Sequence, residues 1–173
     1  TCAVLQFHPG TQLTIATACV LTVTASSAAV FQCNGATLAT TGTGLISVTG
    51  GVASGEMFQG TMTIGNFVWN DPSGNSMYVR ANNTVTCSGS FTITKGTLYA
   101  QVGTDPTLDL NGDLTIGADG VIDCTNGMAV KCAGNWTQTG TFTPATFLVT
   151  FDGTTAQSID RESTSDFYSV TIA

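Results

Sequence analysis

Three observations in the sequence predict an all-β fold, a parallel β-helix or β-solenoid of about six to eight coils. The chain of 173 residues contains 32 threonines and 20 glycines, which favour strands and tight turns over helices. A glycine-led pattern recurs along most of its length. No segment shows the 3.6-residue apolar period of an amphipathic helix.

The repeat reads glycine, any residue, a large apolar residue, threonine and usually isoleucine. Its third positions fall at residues 13, 37, 62, 91, 114 and 136, so the steps are 24, 25, 29, 23 and 22 residues. The copy at 13 lacks the glycine, and the copy at 37 is weaker because its third residue is threonine. A repeat of about 22–25 residues suits one β-helix coil of three short strands joined by glycine-rich corners. A β-sandwich of many short strands is the alternative, but it does not explain the register of the glycines.

Alternation along each repeat predicts which side chains point inward, because residues two apart on a strand share a face. The residues expected to form stacked inward rows are Met62, Ile64, Phe91, Ile93, Leu114, Ile116 and Trp136. Two residues before each repeat glycine lies another residue of a kind that proteins bury. These residues are Cys33, Phe58, Cys87, Leu110 and Cys132.

Charge and hydropathy exclude several classes of protein. The net charge of −7 opposes binding to nucleic acid or to anionic membranes. Leu13–Phe31 is long enough for a membrane helix, but six of its residues are Thr or Ser and its apolar residues alternate, so we expect no membrane span. No linker interrupts the chain, and residues 1–173 are therefore expected to form one domain.

The cysteines suggest an oxidising compartment, where disulfides persist. All six are disulfide candidates, with 15 possible pairings: Cys2, Cys19, Cys33, Cys87, Cys124 and Cys132. Cys124 and Cys132 flank a turn and are the expected local pair. Cys33, Cys87 and Cys132 share one repeat position two coils apart, too far to pair with one another.

Other features also favour an extracellular or cell-surface protein. The chain starts Thr1-Cys2-Ala3 without a methionine, as after removal of a signal peptide. Asn82 and Asn135 begin glycosylation sequons.

The C-terminal quarter carries a recognisable motif. It runs Gly134-Asn135-Trp136-Thr137-Gln138-Thr139-Gly140-Thr141-Phe142, then Val149-Thr150-Phe151-Asp152-Gly153, Gln157-Ser158-Ile159 and Phe167-Tyr168-Ser169-Val170-Thr171-Ile172. This segment resembles a repeat of long, secreted bacterial surface proteins with adhesin-like β-solenoid regions. The resemblance implies a β-solenoid at the cell surface, and it implies no particular activity.

Candidate chemical sites are weak. The only metal candidates form an acidic cluster that could hold Ca²⁺ at a corner: Asp109, Asn111, Asp113, Asp119 and Asp123. An EF-hand is excluded, because its sixth position is Leu114 and its twelfth is Gly120. No other cofactor is expected.

Enzyme activity is not expected either. Asp119 and Asp123 could share one face, as the carboxylates of a polysaccharide lyase or hydrolase do, but no matched base accompanies them. The single histidine, His8, lies beside Pro9-Gly10 and is interpreted as a turn residue.

Two further surfaces offer alternative functions. Trp69, Trp136, Tyr78 and Tyr99 could stack on sugars, although the repeat places Trp136 inward. Recurrent Thr-x-Thr pairs resemble the arrays of some ice-binding proteins, but irregular coil lengths should break such an array.

The two ends of the chain support the leading hypothesis, an extracellular structural filament. Soluble solenoids need polar caps, yet the first and last segments both read as apolar strands. The expected assembly interface consists of Val4, Leu5, Phe7, Tyr168, Val170 and Ile172. Copies of the chain would stack head to tail through these residues. A monomeric adhesin or glycan-binding module is the alternative.

Overall fold

The chain folds as an all-β parallel solenoid of about six turns. The computed structural model describes residues 5–25, 31–50, 55–80, 83–103, 105–162 and 166–173. Within these ranges there are twenty strands and no helix. It follows that no described segment is a helix long and apolar enough to cross a membrane. The predicted fold class is confirmed.

Each turn contributes one strand to each of three faces, and neighbouring turns pair in parallel. Face 1 consists of β2 (Gln12–Ile15), β5 (Thr37–Thr40), β8 (Met62–Ile64), β11 (Thr84–Cys87), β13 (Thr107–Leu110), β15 (Ala129–Cys132), β18 (Leu148–Phe151) and β20 (Ser169–Ile172). Face 2 consists of β3 (Val20–Ala25), β6 (Leu45–Gly50), β9 (Phe67–Asn70), the first halves of β12 (Phe91–Ala100) and β14 (Leu114–Asp123), β16 (Trp136–Gln138) and β19 (Ile159–Arg161).

Face 3 continues the chain from face 2 back to the start of the next turn. It consists of β1 (Leu5–Phe7), β4 (Phe31–Asn34), β7 (Gly55–Gln59), β10 (Ser76–Val79), the second halves of β12 and β14, and β17 (Thr141–Thr143). Two long strands, β12 and β14, serve both faces because each continues through the corner, where their register shifts between Ile93 and Lys95.

Alternating apolar residues on each strand fill the interior. On face 1 one inward row consists of Leu13, Leu38, Ile64, Cys87, Leu110, Cys132, Phe151 and Ile172. Its members lie 25, 26, 23, 23, 22, 19 and 21 residues apart. The strands keep their register despite these differences, so the variation in coil length falls in the corners.

The predicted inward rows are confirmed for Phe91, Ile93, Leu114, Ile116 and Trp136, which are buried on face 2. Phe91 pairs with Leu114, and Leu114 pairs with Trp136, all three fully buried. Phe67 precedes Phe91 in the same row, and their rings stack with centroids 5.2 Å apart. Stacked aromatic pairs of this kind are favourable beyond the area that they bury.

The predicted row is wrong for Met62 and Ile64. Both are inward and buried, but they lie on face 1, where they pair with Val85 and Cys87. The reason is that the glycine-led pattern marks the strand that follows a corner, and each turn has several corners. The 29-residue step between positions 62 and 91 is the place where the pattern changes from face 1 to face 2.

Two smaller expectations about the repeat are also wrong. Thr37 is exposed, and the inward residue in register with Leu13 is Leu38. Cys33 and Phe58 pair with each other on face 3, whereas Cys87 and Cys132 lie two turns apart on face 1.

Side chains at the corner between faces 1 and 2 hold successive turns together. Asn66 Oδ1 accepts the backbone N–H of Ser90 at 2.9 Å, and Asn135 Oδ1 accepts that of Ser158 at 2.9 Å. Asp113 Oδ1 accepts the N–H of Asn135 at 2.7 Å. Short polar side chains that tolerate turns thus satisfy donors that the strands leave unpaired.

Candidate functional site

Exposed apolar side chains concentrate in the last turns of the solenoid. Most of the exposed large hydrophobic residues that the structure describes are found there: Leu148, Ile159, Tyr168, Val170 and Ile172. Ile172 is 73% and Tyr168 64% exposed, although Val170 and Ile172 continue inward rows that are fully buried in earlier turns. These residues belong at inward positions, and a further turn beyond them would bury them.

The strands at this end have one paired edge each. Among the described strands, β20 pairs only with β18, and β19 pairs only with β16. Their other edges present backbone N–H and C=O groups outward, as edge strands do. The C-terminal end therefore combines apolar side chains with backbone groups that can template pairing.

The C-terminal end also carries a cluster of Phe167, Arg161 and Gln138, which we call the polar plug and which the sequence analysis did not predict. Phe167 packs against Trp136, Phe142 and Phe151 with ring centroids 5.2–5.8 Å apart. The Arg161 guanidinium lies 4.4 Å from the centre of the Phe167 ring, a cation–π contact. The expectation that this end is apolar and has no cap is therefore wrong for the centre of the end face.

Gln138 joins this plug to the core. It is fully buried, accepts Trp136 Nε1–H at 3.2 Å and Arg161 Nε–H at 3.3 Å, and donates to the Gly140 carbonyl at 3.2 Å. The sequence could have indicated a buried polar residue here, because Gln138 occupies the repeat position at which other copies have isoleucine. Arg161 could be found only by placing it in the next turn of the same row.

The N-terminal end is uncharged and partly covered. Leu13, Ile15 and Leu21 are half-buried and pack against the core. Phe7 is buried, so it does not offer the exposed surface that the sequence analysis expected of it. Leu5 lies on β1. Val4 falls outside the described residues, and so the prediction that it contributes to the interface does too.

A pair of tyrosines forms an aromatic strip on the outer side of face 3. Tyr78 and Tyr99 are in register on β10 and β12, with ring centroids 4.1 Å apart. Burial raises the pKa of Tyr99, and so do the hydrogen bond and charge of Tyr78, against a smaller lowering by a hydrogen bond from Ser76. Arg80 Nε donates to Gln101 Oε1 at 3.3 Å beside the strip. The two tryptophans proposed for the same surface, Trp69 and Trp136, are buried instead.

The five side chains predicted as calcium ligands do not come together at one site. Asp109 lies on the outer side of face 1 in register with Lys131, and Asp123 lies on face 3 in register with Tyr99. Asp113 accepts a backbone N–H at a corner, and Asn111 is exposed at the same corner. Asp119 is exposed and in register with Lys95. No group of three potential metal-binding side chains occurs in the ranges that the structure describes.

The described cysteines are all free thiols. Cys19 is exposed, and Cys33, Cys87, Cys124 and Cys132 are buried. The expected disulfide between Cys124 and Cys132 is therefore not formed, and Cys2 lies outside the described residues. Two of the thiols serve as donors at the corner, since Cys87 Sγ lies 3.0 Å from Gly65 O and Cys132 Sγ 3.4 Å from Gly134 O.

Burial keeps these thiols protonated. It raises the pKa of Cys87 and Cys124 to about 12 and that of Cys132 to about 11, and it also raises the pKa of Cys33. A thiol of this kind reacts slowly, because the thiolate is the nucleophile. The cysteines act here as small core residues, and they carry no information about an oxidising compartment.

The remaining candidates lie apart from one another. His8 is exposed in a turn closed by the Thr11 N–H on its carbonyl. Asn135 is exposed, but its Oδ1 accepts from both the N–H and the hydroxyl of Ser158. Asn82 lies outside the described residues.

Comparison of the chain with models of known protein families, with curated proteins and with solved structures gave no match.

Proposed function

We propose that the chain is a structural protein of the cell surface that assembles end to end into a filament. The observation that carries this proposal is the concentration of exposed apolar residues on β19 and β20, each of which pairs along only one edge among the described strands. In the proposed joint, β20 pairs with β2 of the next copy, so that face 1 continues across the joint. Both partners then keep the parallel pairing that every described turn uses.

The magnitudes require backbone pairing in the joint. Ile159, Val170 and Ile172 are about half exposed, and their complete burial contributes roughly 2–5 kcal/mol. Association costs about 4–15 kcal/mol in lost translational and rotational freedom. Side-chain burial alone therefore falls short or barely suffices. Hydrogen bonds between the edge strands have to supply the remainder, at about 1 kcal/mol each.

The charge pattern supports a head-to-tail joint over a joint between two C-terminal ends. The first 55 residues contain no Asp, Glu, Lys or Arg, whereas the C-terminal end carries Asp160, Arg161, Glu162 and Asp166. Two C-terminal ends brought together would place like charges side by side. An uncharged N-terminal end accepts the charged one without such repulsion.

The test uses two lysine variants on one strand. Ile172→Lys places a charge at an inward position of β20, and Thr171→Lys places it at an outward position of the same strand. Negative-stain microscopy and light scattering of the chain should reveal fibres or a series of oligomers. Ile172→Lys should abolish them, and Thr171→Lys should leave them. Monomers for the unmodified chain, or equal assembly by both variants, would contradict the proposal.

A second candidate function is glycan binding by the aromatic strip on face 3. Tyr78 and Tyr99 present aromatic rings beside Arg80 and Gln101, and rings flanked by planar polar side chains suit the apolar faces and hydroxyls of a sugar. Loss of glycan-array binding in Tyr99→Ala, with binding retained in Tyr168→Ala, would support it. Equal binding by both variants, or none by the unmodified chain, would contradict it.

We propose no catalytic role. Asp119 and Asp123 both lie on β14, in register with Lys95 and Tyr99, whereas Asp109 lies on face 1. The extracellular location stays a proposal that rests on the resemblance of the C-terminal segment and no longer on the cysteines.

A further inference from the structure

The corner between β9 and β10 contains two buried polar atoms that lack a partner among the described residues. They are Trp69 Nε1 and Asp71 Oδ2, and both side chains are only 1% exposed. The two residues are two positions apart at the end of β9, so both point toward the interior. The other carboxylate oxygen, Asp71 Oδ1, accepts the N–H of Ser73 at 2.8 Å.

The backbone places both residues against Lys95 and Gly96 of the next turn. The N–H of Asp71 donates to the carbonyl of Lys95 in the next turn at 3.0 Å. The following residue, Gly96, lies directly over the Trp69 indole, because a Cβ at Gly96 would come within 2.9 Å of Trp69 Nε1 and of the Asn75 carbonyl. Gly74 closes the turn by donating to Asp71 O at 2.9 Å. Trp69 and Asp71 therefore both lie at this corner, where Gly96 has no side chain to cover the indole N–H.

The chemistry of the two groups is complementary but indirect. An indole N–H is a donor only, and a carboxylate oxygen is an acceptor. A buried group of either kind is nearly always satisfied by protein or by ordered water. We propose that this corner holds one internal water molecule, which accepts the Trp69 Nε1–H and donates to Asp71 Oδ2.

A water molecule suits the corner better than a cation does. A cation requires several oxygen ligands and would face the Trp69 N–H, which repels positive charge. The Lys95 side chain also runs past this corner, with its Cε 3.8 Å from a Cβ placed on Gly74. A neutral water molecule can accept a hydrogen bond from the Trp69 N–H and donate one to Asp71 Oδ2.

A second buried tryptophan shows the same need met by protein. Trp136 Nε1 donates to Gln138 Oε1 at 3.2 Å, and Gln138 is also two positions further along its strand. The longer glutamine side chain reaches the indole directly. The Asp71 side chain is one methylene shorter than glutamine and is held by the Ser73 N–H. In the proposal, a water molecule therefore bridges the carboxylate and the indole N–H.

The experiment counts long-lived internal waters by ¹⁷O magnetic relaxation dispersion, with the second tryptophan as the matched control. Trp69→Phe should lose the contribution of one water relative to the unmodified chain, and Trp136→Phe should lose none. An unchanged dispersion in Trp69→Phe, or an equal loss in both variants, would overturn the proposal.

A crystal structure of the unmodified chain at atomic resolution provides a test that does not depend on the folding of a variant. It should contain one solvent peak about 2.7–3.2 Å from both Trp69 Nε1 and Asp71 Oδ2. No peak there, or a peak at about 2.3–2.6 Å from several oxygens as for a bound Ca²⁺, would overturn the proposal.

Discussion

The middle of the solenoid and its last turn use the same local pattern but fill one inward row differently. In the middle, Ile93 and Ile116 pair on face 2 and are fully buried. One turn later the row continues with Gln138, which is also fully buried, and then with Arg161, whose guanidinium lies over Phe167. The same inward row thus holds apolar core residues in the middle of the solenoid and polar residues in its last turns. At the end of the rod, the same position holds polar groups or exposed apolar ones.

The largest loss in the free energy of unfolding is expected when a buried side chain in the middle of the solenoid is truncated. Phe91→Ala removes a fully buried ring that stacks on Phe67, so it should lower the free energy of unfolding by about 3–5 kcal/mol. Urea denaturation measures this loss. A loss below about 1 kcal/mol would mean that the stacked row on face 2 does not form the core.

Removal of the buried amide should have the next largest effect. Gln138→Met keeps the volume but leaves Trp136 Nε1–H and Arg161 Nε–H without their acceptor, which should cost about 1–3 kcal/mol. Ile116→Met, one turn earlier in the same row, loses no hydrogen bond and should cost less than about 1.5 kcal/mol. Equal losses in the two variants would contradict the role of Gln138 as a hydrogen-bonding centre.

The buried thiols predict a loss of stability at alkaline pH. The pKa of Cys87 is raised to about 12 in the folded protein, so its thiol stabilises the fold fully below the unfolded pKa of about 8.5, and this contribution is lost as the pH rises toward 12. Between pH 9 and 10 the loss is about 1.2 kcal/mol for this thiol.

Alanine variants separate this thiol from the other groups that titrate in the same range. Cys87→Ala should reduce the pH dependence of unfolding by that amount, whereas Cys19→Ala, at an exposed position, should not change it. An unchanged pH dependence in Cys87→Ala would show that Cys87 is not buried as a protonated thiol.

The smallest effect on stability is expected at the end of the rod. Ile172 continues the row of Cys132 and Phe151 but is 73% exposed, so Ile172→Ala should cost less than about 1 kcal/mol in dilute solution. Thermal unfolding at low protein concentration measures it. A loss as large as that of Phe91→Ala would mean that Ile172 is covered in the free chain.

The sequence was sufficient for the fold and for part of the register. Glycine spacing and alternation predicted the solenoid and the row from Phe91 to Trp136, because strands keep their register while corners absorb differences in length. They did not predict the face of Met62, since the same five-residue pattern begins strands on two faces. That distinction depends on how many corners lie between two copies, and local sequence does not encode it.

The candidate site was predicted less completely than the fold. The exposure of Val170 and Ile172 follows from their place in the final strand, and Tyr168 directly precedes that strand. The Arg161 plug was missed because cation–π packing on Phe167 joins residues from different parts of the last turn. The disulfides were wrong for a different reason: cysteine is also a small buried residue, and its count alone does not distinguish the two uses.

Sedimentation velocity of the unmodified chain over a dilution series tests the central claim, association through the last turn, most directly. The account predicts species larger than the monomer at high concentration, in a series that shortens on dilution and collapses to monomer when Ile172→Lys is introduced. A single monomeric species across the whole concentration range would contradict it.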